Sequence, residues 1–305
     1  MPKWKKLGRV YVPSGEKYWM RSHAANTVPI HVSKDIVRIY FNSRDEDNRS
    51  YVSWIEVEVI GEEFRVIGEC EGPVLSPGGA GYFDESGVSL GCIIEVSGEM
   101  NLYYLGWTLG KTVPWYNSIG LATLSKDGTR ATRHSKAPIY SRTDEDPITV
   151  SYPFLIEEDG RFLVYYGSSK KWGREKNSMD HVLKLAETED GVNFVPRGIE
   201  AIHPIDSTEY AFSRPFVYVD SGIWKMYYSF RGESYRIGYA ESKDGIIWKR
   251  MDSESGISVS DVESDWDSEM VCYGYLFFKD GNTYMTYSGN GYGISGFGLA
   301  ILEAA

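Results

Sequence analysis

Pro153-Phe154-Leu155-Ile156-Glu157-Glu158-Asp159-Gly160-Arg161-Phe162-Leu163-Val164-Tyr165-Tyr166 reads as two apolar strands folded around an Asp-Gly turn. Asp-Gly supplies the positive φ of a tight hairpin, and branched and aromatic residues suit the strands on either side. The same unit recurs at residues 93–104 around Ser97-Gly98, at 215–228 around Ser221-Gly222 and at 275–287 around Asp280-Gly281. The turn glycines, Gly98, Gly160, Gly222 and Gly281, are spaced by 62, 62 and 59 residues. One step earlier lies Ser33-Lys34-Asp35, between Pro29-Ile30-His31-Val32 and residues 37–41, which makes five units.

A third strand follows in each unit. It ends in Gly120-Leu121-Ala122, Lys184-Leu185-Ala186, Gly238-Tyr239-Ala240 and Gly298-Leu299-Ala300, with Trp54-Ile55-Glu56-Val57 in the first unit. Asp127-Gly128, Asp190-Gly191 and Asp244-Gly245 then turn the chain toward a fourth. A four-stranded unit repeated every 60 or so residues predicts an all-β fold, a five-bladed β-propeller of antiparallel blades forming one domain over residues 1–305. The last unit stops after its third strand, so the strand-like segment 7–13 is expected to supply the missing outer strand and close the ring. No ten-residue stretch keeps a helical period free of Gly and Pro. The segments 109–116 and 170–180 read as loops on the rim, and the Gly-rich 290–296 as a loop between strands.

The composition agrees. The chain of 305 residues carries 9 Trp, 23 Tyr and 12 Phe, the aromatic excess of an all-β protein. A net charge of −11 disfavours nucleic acid and anionic membrane as partners. No apolar run approaches a membrane span. Cys70, Cys92 and Cys272 show neither a disulfide framework nor a zinc spacing, so a reducing cytoplasm is expected, with neither metal nor cofactor.

Aligning the repeats places the residues that enter the innermost strands at one mouth of the funnel. Asp84, Glu209 and Glu269 recur there, with His23 as a further acid or base. Cleavage of a glycosidic bond needs two carboxyl groups facing each other across a sugar, and separate blades converging on an axis can supply them. Asp267 reads instead as a turn cap. The position three past the second aromatic of each hairpin is Arg44, Trp107, Ser169, Arg231 and Asn290 in units one to five. Arg44 and Arg231, with Arg21 and Arg214 from the entry segments, are candidates to hold an anionic group as guanidinium forks, and Trp107 to stack on a sugar face. The alternative is that these arginines pair internally with Asp84, Glu209 and Glu269.

Phe83-Asp84-Glu85-Ser86-Gly87-Val88, Leu102-Tyr103-Tyr104-Leu105-Gly106-Trp107, Ser213-Arg214-Pro215, Met226-Tyr227-Tyr228-Ser229-Phe230-Arg231, Trp266-Asp267-Ser268-Glu269-Met270 and Tyr287-Ser288-Gly289-Asn290-Gly291-Tyr292-Gly293 carry a resemblance. The chain resembles the five-bladed propeller glycosidases, the clans of glycoside hydrolase families 32, 43, 62, 68 and 130. It is most similar to an uncharacterised glycosidase-like group linked to bacterial surface-polysaccharide genes. Families 32 and 43 place catalytic acids just before the innermost strands, often beside proline. The matching positions here, Val28-Pro29, Tyr152-Pro153, Arg214-Pro215 and Tyr273-Gly274, carry no carboxylate.

The expected function is a carbohydrate-active enzyme, a glycoside hydrolase with an anionic or polysaccharide-derived substrate. Glu269 or Glu209 would protonate the leaving oxygen and Asp84 would activate water. The alternatives are a phosphorylase or glycosyl-transfer enzyme using a sugar phosphate or nucleotide sugar, and a non-catalytic carbohydrate-binding propeller.

Overall fold

In the computed structural model, which describes residues 2–173 and 178–303, each repeat becomes an antiparallel meander. The chain opens with β1 (Trp4–Tyr11). Four units follow: β2 (Ser22–His31), β3 (Ile36–Arg44), β4 (Ser50–Ile60) and β5 (Glu63–Glu69); β6 (Gly87–Val96), β7 (Glu99–Leu109), β8 (Trp115–Leu124) and β9 (Ala131–Arg133); β10 (Val150–Glu158), β11 (Arg161–Lys171), β12 (Asp180–Thr188) and β13 (Val195–Ile202); β14 (Ala211–Asp220), β15 (Ile223–Arg231), β16 (Tyr235–Ser242) and β17 (Trp248–Arg250). The last unit is β18 (Cys272–Lys279), β19 (Asn282–Ser288) and β20 (Phe297–Leu302), and β1 pairs antiparallel with β20 as its fourth strand. The hairpin glycines Gly98, Gly160, Gly222 and Gly281 all adopt φ near +80°, the conformation that selects glycine there.

The first strands touch in cyclic order: β2 with β6, β6 with β10, β10 with β14, β14 with β18, and β18 with β2. The paired aromatics of the second strands do two different jobs. In the first three units the first of the pair joins neighbouring units. Tyr40, Tyr103 and Tyr165 donate to the carbonyls of Gly128, Gly191 and Gly245, the Asp-Gly turns of the following unit, at 2.8, 2.9 and 2.6 Å. Tyr284 makes the corresponding bond from the last unit to Gly61 of the first, at 2.8 Å. In units two to five the second aromatic works inside its unit, donating to a buried or half-buried aspartate that also meets a cation. These sets are Tyr104–Asp84–Arg133, Tyr166–Asp146–Lys184, Tyr228–Asp252–Arg250 and Tyr287–Asp267–Lys6. A buried carboxylate costs stability unless it is paired and hydrogen-bonded; each set supplies both, although at Asp84 they fall on Oδ2 and leave Oδ1 buried without a partner.

Four expectations need correction. The N-terminal strand starts at Trp4, three residues before 7, because Trp4, Lys5 and Lys6 already pair with β20. Asp267 is no turn cap but the buried partner of Tyr287 and Lys6. Residues 290–296 hold a short helical turn, α1 (Asn290–Gly293), with Gly291 and Tyr292 left-handed. The rim insertions are shorter than read, since Leu109 closes β7, Trp115 opens β8, Lys170 and Lys171 extend β11 and Asp180 opens β12. Residues 174–177 of the 170–180 segment lie outside the described residues. The three cysteines are free and buried.

Candidate functional site

Every first strand carries a break in register near its start: between Ala25 and Val28, Leu90 and Cys92, Ser151 and Phe154, Ser213 and Phe216, and Cys272 and Tyr275. Four of these breaks hold a non-glycine residue at positive φ: Asn26 (54°), Tyr152 (41°), Arg214 (54°) and Tyr273 (59°). Such bulges re-aim a side chain out of the pleat. The position equivalent to Tyr152, Arg214 and Tyr273 in the first unit is therefore Asn26, two residues before the Val28 that alignment on proline suggests. Asn26 is not a carboxylate either.

Arg214 lies where the first strands meet. From β14 it reaches the first strands of all four other units. Its guanidinium donates to the carbonyls of Thr27 (2.9 Å), Leu90 and Gly91 (2.7 Å). It also sits 5.8 Å from the ring centres of both Tyr152 and Tyr275. Thr27 and Gly91 occupy register breaks, where the ladder releases carbonyls. Only 3% exposed, Arg214 has its pKa lowered by burial.

Arg231, at the end of β15, sits in a cage of tyrosines. The ring centres of Tyr210, Tyr235 and Tyr292 lie 5.5, 5.6 and 5.5 Å from its guanidinium carbon. Backbone pairing sets Ala211 and Tyr235 opposite Arg231, while the left-handed turn of α1 delivers Tyr292. Rings at the faces of a guanidinium stabilise its charge and leave the N–H edge for an oxyanion. The Nε of Arg231 is buried without a hydrogen-bond partner, as are Asn26 Oδ1 and Ser213 Oγ. Tyr235 packs at a tilt against Tyr273, with ring centres 5.7 Å apart, and Tyr273 against Tyr152 at 6.4 Å, so a run of rings connects the Arg231 cup to Arg214. Among the described residues no carboxylate lies within ion-pair distance of either guanidinium.

His23 is buried, at φ 59°, with Nδ1 2.8 Å from Ser22 Oγ. Burial, helped by the Arg44 charge, pushes its pKa down to about 4, so its imidazole is neutral at pH 7. Burial likewise takes His181 down to about 4. His181 stacks under Trp172 at 4.7 Å, and Trp172 meets Trp115 edge-on at 5.0 Å, so the two rim segments touch. The His181 backbone N–H donates to the Tyr210 carbonyl at 2.9 Å, seating this aromatic rim against the cup.

The expected acids lie elsewhere. Asp84 is fully buried between the second and fourth strands of its unit, bonded by Arg133 Nε at 2.8 Å and Tyr104 at 3.1 Å. Glu209 is held by Arg250, which keeps its carboxyl below the usual range despite burial. The Glu269 side chain is exposed, while its backbone N–H bonds to Asn290 Oδ1 at 2.9 Å. The three acids thus keep separate company: Asp84 and Glu209 pair within their own units, while the Glu269 carbonyl accepts from Arg236 of the preceding unit at 2.9 Å. Nor do the expected arginines neutralise Asp84 and Glu209: Arg133 pairs with the first and Arg250 with the second. Arg21 bonds the Gly15 carbonyl at 2.6 Å and faces Glu46 at 3.2 Å; Arg44 bonds Asn48 at 2.7 Å. Trp107 is half-buried, its Nε1 donating to Ser50 Oγ at 2.9 Å. Asn290 spends its amide on the backbone of Asp265, Glu269 and Met270 and lines an open cleft of about 520 Å³ beside Arg9 and Trp266. Among the described residues no three His, Cys, Asp or Glu side chains gather as a metal site.

The sequence pattern thus singles out Arg214 and Arg231 but not the tyrosines around them. No family model matches the chain. An uncharacterized protein of Mycobacterium tuberculosis, Rv1502, is 41% identical over 302 residues, covering 98% of this chain and 99% of its own; the corresponding protein MT1551 of a second strain is equally similar. Solved structures share the fold. A glycoside hydrolase-like protein from Parabacteroides distasonis superposes with a TM-score of 0.74 at 14% identity, over 100% of this chain and 97% of its own. A structure from the GH130 family of mannoside phosphorylases, a family that contains glycoside hydrolases, gives 0.71 at 16% identity over 98% and 93%. A thermostable family-43 glycoside hydrolase gives 0.65 at 16% over 94% and 90%.

Proposed function

The chain belongs to the family of the uncharacterized protein Rv1502, and we propose that it is a carbohydrate-active protein whose Arg231 cup takes an anionic sugar. The whole chain would form one five-bladed propeller, closed by β1, with the cup at one mouth. One observation carries this reading: Arg231 is nine-tenths buried among three tyrosines, with Nε unpartnered and no described carboxylate in reach. A buried donor left unsatisfied costs about 1–3 kcal/mol, which a ligand oxyanion would remove. Tyrosine rings and hydroxyls, with Ser213 and Asn26, suit the faces and hydroxyls of a sugar. The glycosidase-like neighbours supply the fold and not the reaction.

The test is a thermal-shift screen with free sugars, uronic acids, sugar phosphates and nucleotide sugars. A ligand at 100 times its dissociation constant stabilises the fold by about 2.7 kcal/mol. Stabilisation by acidic but not neutral sugars supports the reading; stabilisation by neutral sugars alone removes it.

A second reading, cleavage of a glycosidic bond, is favoured as phosphorolysis by the placement of the acids. Asp84 and Glu209 are engaged in ion pairs, so neither is free to activate water, whereas phosphate is its own nucleophile. Glu269 would protonate the departing oxygen as a phosphate oxygen bonds the anomeric carbon. Hydrolysis needs a second carboxyl group at the same bond.

A further inference from the structure

Arg214 is a guanidinium buried at the meeting point of five first strands with no described carboxylate beside it. Its hydrogen bonds end on neutral carbonyls and its faces on neutral rings. The cation is therefore solvated by dipoles but not neutralised, and its charge persists in the buried interior. Its surroundings raise the cost further: burial pushes the nearby Cys92 thiol up to about 12, so this group stays neutral at pH 7 and supplies no counter-charge. The run Tyr152, Tyr273, Tyr235 leads from Arg214 to Arg231, so the two cations share one aromatic wall.

We propose that Arg214 is a specificity-determining residue that acts through its field, making the cup select anionic over neutral sugars without touching the ligand. This rests on the reading of the Arg231 cup as a sugar site. An anion bound on Arg231 would serve as the counter-charge for both guanidiniums. At an effective dielectric constant of about 20, a second unit charge about 12 Å from a bound anion changes its affinity by roughly tenfold and that of a neutral sugar little. Arg214 also fixes the carbonyls of Thr27 and Gly91, so a variant disturbs structure as well as charge. The informative quantity is therefore the ratio of two affinities, which a purely structural loss would lower together.

The experiment is calorimetric titration of glucuronate and glucose into wild type, Arg214→Met and Arg214→Lys. The expected result is a wild-type preference for glucuronate that shrinks roughly tenfold in Arg214→Met and is retained in Arg214→Lys. An unchanged preference in Arg214→Met overturns the proposal while leaving the cup assignment intact. If wild type binds neither probe, or both equally, the cup assignment fails first and takes this inference with it. Should the Met variant not fold, Arg214→Gln, whose amide still donates to a carbonyl, takes its place: a reduced preference supports the proposal and an unchanged one overturns it.

Discussion

Arg250 holds the Glu209 carboxylate through two hydrogen bonds, of 2.7 and 2.8 Å, and so ties the entry of β14 to the outer strand of its own unit. The same guanidinium reaches Asp252, which Tyr228 also bonds. A residue that looked like a proton donor is thereby part of a charge network.

Replacing Glu209 with Gln is expected to destabilise the protein by about 2 kcal/mol, since a buried cation loses one of two carboxylates. The pH dependence has a definite sign. The Glu209 pKa is held below its ordinary 4.5, so its contribution is complete above pH 4.5 and disappears as pH falls through the lowered value. Denaturant unfolding of both proteins between pH 7 and 3 measures it. Equal stability at pH 7 would show the pair to be energetically idle.

Deleting residues 1–13 is expected to prevent folding or leave an aggregating product. The deletion removes β1, exposes the edge of β20 and leaves Asp267 without Lys6. A monomeric truncated protein with unchanged melting behaviour would mean that β1 does not close the fold.

The repeat was legible because its turns impose a local rule: glycine at positive φ recurs in step with the strands. The first unit, with Ser33-Lys34-Asp35 in place of a turn glycine, was reached only by counting. The site was less legible because one sequence pattern serves two ends. Asp84 and Asp267 sit beside entry segments, yet both turn toward the tyrosine of their own second strand. Tyr152 and Tyr273 look like strand residues, and only the bulges turn them toward each other beside Arg214. Alignment on proline placed Val28 at the first-unit position that the register assigns to Asn26. Tyr210 and Tyr292, far apart in sequence, meet only around Arg231.

Acid should unfold the protein from pH 6.5 downward. His23 and His181 both fall from 6.5 to about 4 on folding, so the unfolded chain binds more protons in that interval. Stability is full above pH 6.5 and declines as pH drops toward 4, by about 2 kcal/mol for each histidine after allowing for partial solvation. His23→Asn should flatten the melting profile between pH 6.5 and 4; an unaltered slope would place the imidazole in contact with water.

Glu269→Gln separates the modes of bond cleavage. If the chain is a phosphorylase, orthophosphate-dependent release of sugar phosphate should fall about 10²–10⁴-fold in the variant, with sugar affinity within about tenfold of wild type. Product formation in water alone, undiminished in the variant, would restore a hydrolase that uses other acids.

The measurement closest to the central claim is calorimetric titration of glucuronate and of glucose into wild type and Arg231→Gln, with melting temperatures recorded for both proteins. A charge-assisted hydrogen bond contributes about 1.5–3 kcal/mol, roughly ten- to hundredfold in affinity. A ligand-binding role for Arg231 predicts that wild type prefers glucuronate by at least about tenfold, and that Arg231→Gln loses this preference while its melting temperature moves by only a few degrees. Glucuronate affinity retained in Arg231→Gln, or lost only in step with a large fall in melting temperature, would contradict it and make Arg231 a structural cation.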